Sequence, residues 1–179
     1  IDGIHDLYNL CASISVISII GLPVENILIS FDRRKRLEHR VEKFFTFNDI
    51  KFINDSKSTN ADSTSNALKS LKSNIILIMG GDNKKMSYKI LKKLINDKVK
   101  ILIMIGENKN DLDKLIDVNS EKVCFEDLEG AISYIFSVMM PGDTVLMSPA
   151  TSSYCMYDNY QHRGNHFKEL VKKYASQQN

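Results

Sequence analysis

The sequence predicts an α/β fold with a doubly wound, mainly parallel sheet, preceded by a helical segment. Two observations carry this. Ile75–Met79 and Val99–Ile105 are unbroken apolar runs ending in glycine, as expected of strands buried on both faces. Between residue 41 and the C-terminus, such runs alternate with stretches of helical periodicity, the pattern of parallel strands joined by right-handed crossovers.

Taken in order, Tyr8–Ile20 carries apolar residues at helical spacing (Leu10, Cys11, Ile14, Ile17, Ile20), and Gly21-Leu22-Pro23 stops it. Val24–Ser30 reads as a second short helix. The charged stretch Asp32–Arg36 marks the expected domain boundary. Val41–Phe47 and Ile50–Asn54 read as strands around a turn at Asn48-Asp49. Asp62–Leu71 is the next helix, then the strand Ile75–Met79. Tyr88–Ile95 is amphipathic, with Ile90, Leu91, Leu94 and Ile95 inward. After the strand Val99–Ile105 come a short helix at Leu112–Ile116, a strand at Lys122–Phe125 and a helix at Asp127–Met139. Pro141-Gly142-Asp143 turns into the last strand, Thr144–Met147, and Tyr157–Tyr174 holds the closing helix.

Composition narrows the function. With 179 residues, 43% of them hydrophobic and 26% charged, the chain buries a core without disulfide or metal staples. A formal charge of +2 gives no global field for nucleic acid or an anionic membrane. Cys11, Cys124 and Cys155 are widely spaced and fit neither a disulfide framework nor a zinc site, so a reducing, cytoplasmic setting is expected. Ala12–Pro23 is too short and too serine-rich to span a bilayer. Ile1 in place of a starting Met makes a portion of a longer protein the expectation.

In a doubly wound sheet, ligands bind at the carboxyl ends of the strands. Four polar loops lie there: 54–60, 80–84, 106–109 and 148–153. In the first, Asp55, Lys57 and Thr59 alternate, and on an extended segment they share one face. An acid suits ribose hydroxyls, a lysine suits phosphate and a threonine suits a carboxylate. Helix capping accounts for the same residue types equally well. Gly80-Gly81 allows close backbone approach, with Lys84 as a fixed charge beyond it, although an ordinary loop with a solvated lysine reads the same way. Ser148–Ser153 suits an anion cradle at the N-terminus of the closing helix, or simple capping. His39-Arg40, before the first strand, offers a cation that can reach a phosphate or carboxylate, or a surface pair. No Gly-x-x-x-x-Gly-Lys-Ser/Thr occurs. His5, His162 and His166 lack partners at metal spacing, so no metal site is read from this chain.

These segments stand in one order: Gly3-x-His5-Asp6-x-x-Asn9, Leu37-Glu38-His39-Arg40-x-Glu42, Ile53 through Asn60, Gly80-Gly81-Asp82-Asn83-Lys84, and Ser148-Pro149-Ala150 through Asn159-Tyr160-x-x-Arg163-Gly164-Asn165-x-Phe167. Over essentially the whole chain this resembles the C-terminal part of the D-glutamate-adding branch of the Mur ligase family. The resemblance implies residues 1–38 as the tail of a central ATPase domain and residues 39–179 as a Rossmann-like ligand-binding domain. It implies an ATP-dependent ligase that makes an acyl phosphate of UDP-N-acetylmuramoyl-L-alanine and couples it to D-glutamate. ATP and Mg2+ are the implied cofactors, with the magnesium ligands and the phosphate-binding loop upstream of this chain. By itself the chain is then expected to be inactive. A monomer is expected, with no nucleic acid and no membrane insertion.

The resemblance carries roles over residue by residue. Asn9 and Asp6 match adenine-side positions, where Asp6 departs from the usual Asn. His39, Arg40 and Asp55 match nucleotide-binding positions, Arg40 and Lys57 the positions nearest the phosphates and the reaction centre. Thr59, Lys84, Ser153, Tyr154 and Tyr160 match positions that hold D-glutamate. Cys155 departs from a common acidic residue, and Asn83 from a glycine. The alternatives are a folylpolyglutamate synthase relative and a non-catalytic nucleotide- or amino-acid-binding module.

Overall fold

The computed structural model describes residues 4–32, 37–82 and 86–178. The chain divides into two compact units, Ile1–Arg36 and Leu37–Asn179. The first holds helices α1 (Ile4–Ile19) and α2 (Val24–Asp32). Gly21, at φ 74°, ends α1. Its N–H donates to the Ser18 carbonyl while that of Leu22 donates to Ile17, the paired bonds of a glycine C-cap in the left-handed region.

The second unit is the expected α/β layer structure. Strands β1 (Glu42–Phe47), β2 (Ile50–Asn54), β3 (Ile75–Gly80), β4 (Val99–Ile105), β5 (Glu121–Cys124) and β6 (Thr144–Met147) form one sheet in the order β1-β2-β6-β3-β4-β5. Only β1 runs antiparallel, paired to β2 through the Asn48-Asp49 turn. Both turn residues have positive φ, 47° and 63°, which Asn and Asp tolerate in a two-residue hairpin.

Helices cover both faces because the central strands are apolar on both. Ile76, Ile78, Val145, Met147, Ile101 and Ile103 face α6 (Leu128–Val138) and α7 (Tyr160–Gln177). Their neighbours in register, Ile75, Leu77, Met79, Leu146 and Leu102, face α3 (Ala61–Ser70), α4 (Leu91–Lys98) and α5 (Lys109–Leu115). Each fully buried Ile or Leu contributes about 1.5–3 kcal/mol relative to exposure. The doubly wound core is thus written in the strands themselves.

Helices α1 and α5 begin earlier than the sequence reading placed them, at Ile4 and Lys109, and two further differences bear on the sheet edge. Helix α4 starts at Leu91 rather than Tyr88, so Ile90 stands before it and is half exposed, while Leu91 and Ile95 are buried. Helix α7 starts at Tyr160, capped by the Asn159 side chain accepting from the His162 N–H at 2.8 Å. Residues 148–153 therefore do not form the N-terminus of α7, because Asn159 takes the capping role six residues later.

Candidate functional site

Strand β6 lies between β2 and β3, so the loops that follow these three strands open side by side at one edge. Backbone bonds extend the pairing beyond the strands: Asp55 N–H to Met147 O (2.8 Å), Ser148 N–H to Ile78 O (3.1 Å) and Gly80 N–H to Pro149 O (2.9 Å). Close approach here depends on glycine. A side chain on Gly80 would strike the Ile105 carbonyl, and one on Gly81 the Ser152 carbonyl.

The first loop is a turn rather than an extended run. Ser58 N–H donates to Asp55 O at 2.9 Å, and the alternation of Asp55, Lys57 and Thr59 no longer sets a common face. Asp55 is buried, Lys57 exposed and Thr59 half-buried. Asp55 Oδ2 accepts from Ser58 Oγ (2.6 Å) and Ser148 Oγ (2.7 Å), and Oδ1 accepts from the Val41 N–H (3.1 Å). Burial raises its pKa above the ordinary carboxylate value; the bonds from Ser58, Ser148 and Val41 and the nearby Arg40 charge only partly offset this. Asp55 is thus committed to the protein on both oxygens, tying the β2 loop to the β6 loop. Lys57 points out, its Nζ 4.1 Å above the centre of the half-buried Tyr160 ring, a cation–π contact. Ser56 Oγ donates to Tyr160 O at 2.7 Å.

The His39–Val41 segment is strained. His39 has φ 63° and Val41 φ 44°, and a β-branched residue in that region is an outlier. Three bonds hold it there: His39 N–H to Glu42 Oε2 (2.9 Å), Lys57 N–H to His39 O (3.1 Å), and the Val41–Asp55 bond. Strain of this kind costs about 1–3 kcal/mol per residue and persists only where the surroundings over-determine it. Arg40, between the two strained residues, is exposed. His39 is itself buried. Asn54 Oδ1 accepts from the Ser56 N–H (3.2 Å), so Asn54 Nδ2 is the group that donates to His39 Nδ1 (2.9 Å) and Glu42 Oε2 (3.1 Å). This places the imidazole proton on Nε2. Burial first and the Lys168 charge second lower the His39 pKa, against the pull of Glu42 and Glu38.

Two residues that the sequence reading quoted within its motifs, without giving them a role, organise the edge. Arg163 on α7 is 1% exposed. Its guanidinium donates to Ser56 Oγ (3.0 Å), Ser56 O (2.9 Å), Thr151 O (3.2 Å) and Ser152 O (3.2 Å), clamping the β2 loop to the β6 loop. Burial lowers its pKa to about 10, so it stays charged at neutral pH. Asp82, after β3, receives Ser152 Oγ and the Cys155 N–H on its two oxygens. Burial opposes its ionisation, but these bonds outweigh that and the net pKa is lowered. Burial, then Asp82, push the Cys155 thiol up to about 11. The Arg-Gly spacing at 163–164 was a visible signal for the first; an Asp after a Gly-Gly pair offered little for the second.

Of the expected site residues, Arg40, Asp55, Lys57, Thr59, Ser153, Tyr154 and Tyr160 belong to the 37–179 unit and stand in or beside these loops. Ser153 is buried and Tyr154 is 73% exposed. The Ser148 and Ser152 hydroxyls, read as part of an anion cradle or as capping groups, turn inward to Asp55 and Asp82. Asn9 is exposed on α1, one turn from Asp6 in the other unit. Lys84 and Asn83 lie outside the described residues. No group of three or more His, Cys, Asp or Glu side chains among the described residues is arranged to hold a metal.

Comparison with known proteins agrees with this architecture. The family profile "Mur ligase, glutamate ligase domain" matches residues 36–151. UDP-N-acetylmuramoylalanine–D-glutamate ligases from Caldicellulosiruptor saccharolyticus and Aquifex aeolicus are 38% and 37% identical to this chain, each over 96% of it. The chain spans 38% and 42% of those two proteins. Among solved structures, a pseudomurein peptide ligase type C from Methanothermus fervidus matches 96% of the chain and 36% of its own, with TM-score 0.72 and 18% identity. Folylpolyglutamate synthase from Thermotoga maritima matches 95% of the chain and 39% of its own, with TM-score 0.57 and 16% identity. These two structures share the fold. The profile match and the sequence identities together show that this chain belongs to the Mur ligase family.

Proposed function

We propose that the chain is the C-terminal part of an ATP-dependent ligase that adds D-glutamate to UDP-N-acetylmuramoyl-L-alanine, with residues 1–38 as the tail of its central ATPase domain. The observation that carries this reading is the joining of the β2, β3 and β6 loops at one edge, where exposed Lys57 and Arg40 stand beside hydroxyl-bearing turns. The likeness to the D-glutamate ligases of Caldicellulosiruptor and Aquifex supports the choice of substrate.

In the proposed reaction, ATP phosphorylates the alanyl carboxylate. The D-glutamate amine attacks the acyl carbon, the C–N bond forms, phosphate leaves with the C–O electron pair, and the amine loses a proton. This chain contributes binding and orientation. Arg40 and Lys57 meet the phosphates, where fixed cations stabilise transferred charge. Thr59, Lys84, Ser153, Tyr154 and the Tyr160 backbone hold the two carboxylates of D-glutamate, because a dianionic amino acid needs a cation plus hydroxyl and N–H donors. Asn9 and Asp6 of the first unit, and His39 of the second, are the residues proposed to bind the nucleotide. Asp55 serves nucleotide binding by holding Val41 and the β2 loop. Magnesium, when bound, would supply stabilisation of the charge on the transferred phosphoryl group, and no residue of this chain is proposed as its ligand. The protein acts in the cytoplasm, as a monomer.

Phosphate release by the full-length ligase, with ATP, UDP-N-acetylmuramoyl-L-alanine and D-glutamate, tests this. Turnover should require all three and fall to background when L-glutamate replaces D-glutamate. The 179-residue chain alone should release no phosphate above the blank. Equal turnover without D-glutamate would sink the reading.

A further inference from the structure

Asp82 presents an electrostatic problem. It places a carboxylate, held ionised, at an edge proposed to receive a dianion. A like charge there weakens anion binding, so its presence needs another reason. The geometry supplies one. Asp82 makes four bonds to one five-residue segment: its oxygens accept from Ser152 Oγ and Cys155 N–H, each at 2.5 Å, its N–H donates to Ser152 O at 3.2 Å, and its carbonyl accepts from Thr151 Oγ1 at 3.0 Å. Ser153 and Tyr154 lie inside that bracket. From the other side Arg163 holds the Thr151 and Ser152 carbonyls. From the loop after β4, the Asn108 side chain accepts from the Gly81 N–H at 3.0 Å and fixes Asp82's own backbone approach.

We propose that Asp82 is a positioning residue that fixes the 152–155 turn and thereby sets the affinity of this edge for D-glutamate. The inference rests on the function proposed above. Both Asp82 oxygens accept from the turn, and the buried Arg163 holds the same turn from its carbonyl side. The carboxylate is therefore spent on shaping the donors that meet the ligand. Displacing a binding group by about 1 Å is enough to cost on the order of a hundredfold.

The test uses the full-length ligase with Asp82→Asn and Asp82→Ala. Asp82→Ala should raise the KM for D-glutamate by on the order of tenfold, while the KM for ATP stays near wild type. Asp82→Asn keeps an oxygen for the Cys155 N–H and should fall between. A merely structural role would move both KM values together and would give no partial rescue. A second measurement does not depend on turnover: the rate of maleimide labelling at Cys155, read by mass spectrometry of its peptide, with exposed Cys11 and Cys124 as references. Because removing Asp82 also relieves its upward push on the Cys155 thiol, the rate is corrected for the thiolate fraction read from the pH dependence of labelling; so corrected, loss of the bracket should still speed Cys155 labelling severalfold in both variants and leave the two references unchanged.

Unchanged Cys155 labelling would overturn the proposal, since Asp82 would not hold the turn. Faster labelling with an unaltered D-glutamate KM would also overturn it, since the turn would not serve the ligand. A wild-type ligase that ignores D-glutamate would defeat the underlying functional reading as well. That failure appears in the wild type, whereas failure of the inference alone appears only in the variants.

Discussion

His39 Nδ1 occupies the space in which a side chain on Gly164 would stand: a methyl group there would collide with the imidazole and crowd Asn54 Nδ2. Helix α7 can pass this close to the strained His39–Val41 segment only without a Cβ. The imidazole cannot step aside easily, since Nδ1 already accepts from Asn54 and its backbone is held by Glu42 and Lys57. Gly164→Ala gains about 1 kcal/mol of helix propensity, whereas overpacking costs about 1–3 kcal/mol. The collision should win. A net loss of stability is expected in urea unfolding of the 179-residue chain, with the midpoint lowered.

Arg163 should be the more severe site. Arg163→Met leaves the Ser56, Thr151 and Ser152 carbonyls without their donor, at about 1–3 kcal/mol for each buried unsatisfied group. Arg163→Lys keeps the charge but lacks the planar fork that reaches four acceptors at once, so it should recover only part of the loss. Thermal unfolding of the three proteins side by side checks the order wild type, Lys, Met.

Acid should weaken the fold in a window that His39 defines. Its folded pKa lies below its ordinary value of 6.5, so the unfolded chain binds the proton more readily. Its stabilising contribution is present above pH 6.5 and is lost as pH falls through that value toward the lower folded pKa. Asp55 has the opposite sign: its folded pKa is raised above 3.8, so its contribution is present below pH 3.8 and is lost as pH rises through the folded value. His39→Gln should flatten the acid limb just below pH 6.5. Denaturant midpoints measured across pH, for wild type and variant, decide this.

Lys84→Ala separates the two ligands of the proposed reaction. A charge-assisted hydrogen bond contributes about 1.5–3 kcal/mol, so the KM for D-glutamate should rise roughly tenfold to a hundredfold, with that for ATP near wild type. Asp55→Ala should weaken ATP more than D-glutamate, by releasing Val41 and the Arg40 segment. Steady-state kinetics of the full-length ligase, with each substrate varied in turn, reads both. A rise in the KM for ATP alone on Lys84→Ala would reverse the assignment of the loops.

The strands were legible because their information is local. Ile75–Gly80 and Val99–Ile105 are apolar at every step but Lys100, and only a strand covered on both faces needs that. The glycine stop at Gly21 was equally local. The loops after β2, β3 and β6 were legible as places, since strand ends are where such sheets bind. The direction of their side chains was not. Ser148 and Ser152 turn inward because Asp55 and Asp82, from 93 and 70 residues away, offer them carboxylates. Arg163 is buried because Ser56, 107 residues earlier, returns to meet it. A polar loop residue carries no periodicity, so whether it faces water, ligand or protein depends on partners that only the folded sheet brings within reach.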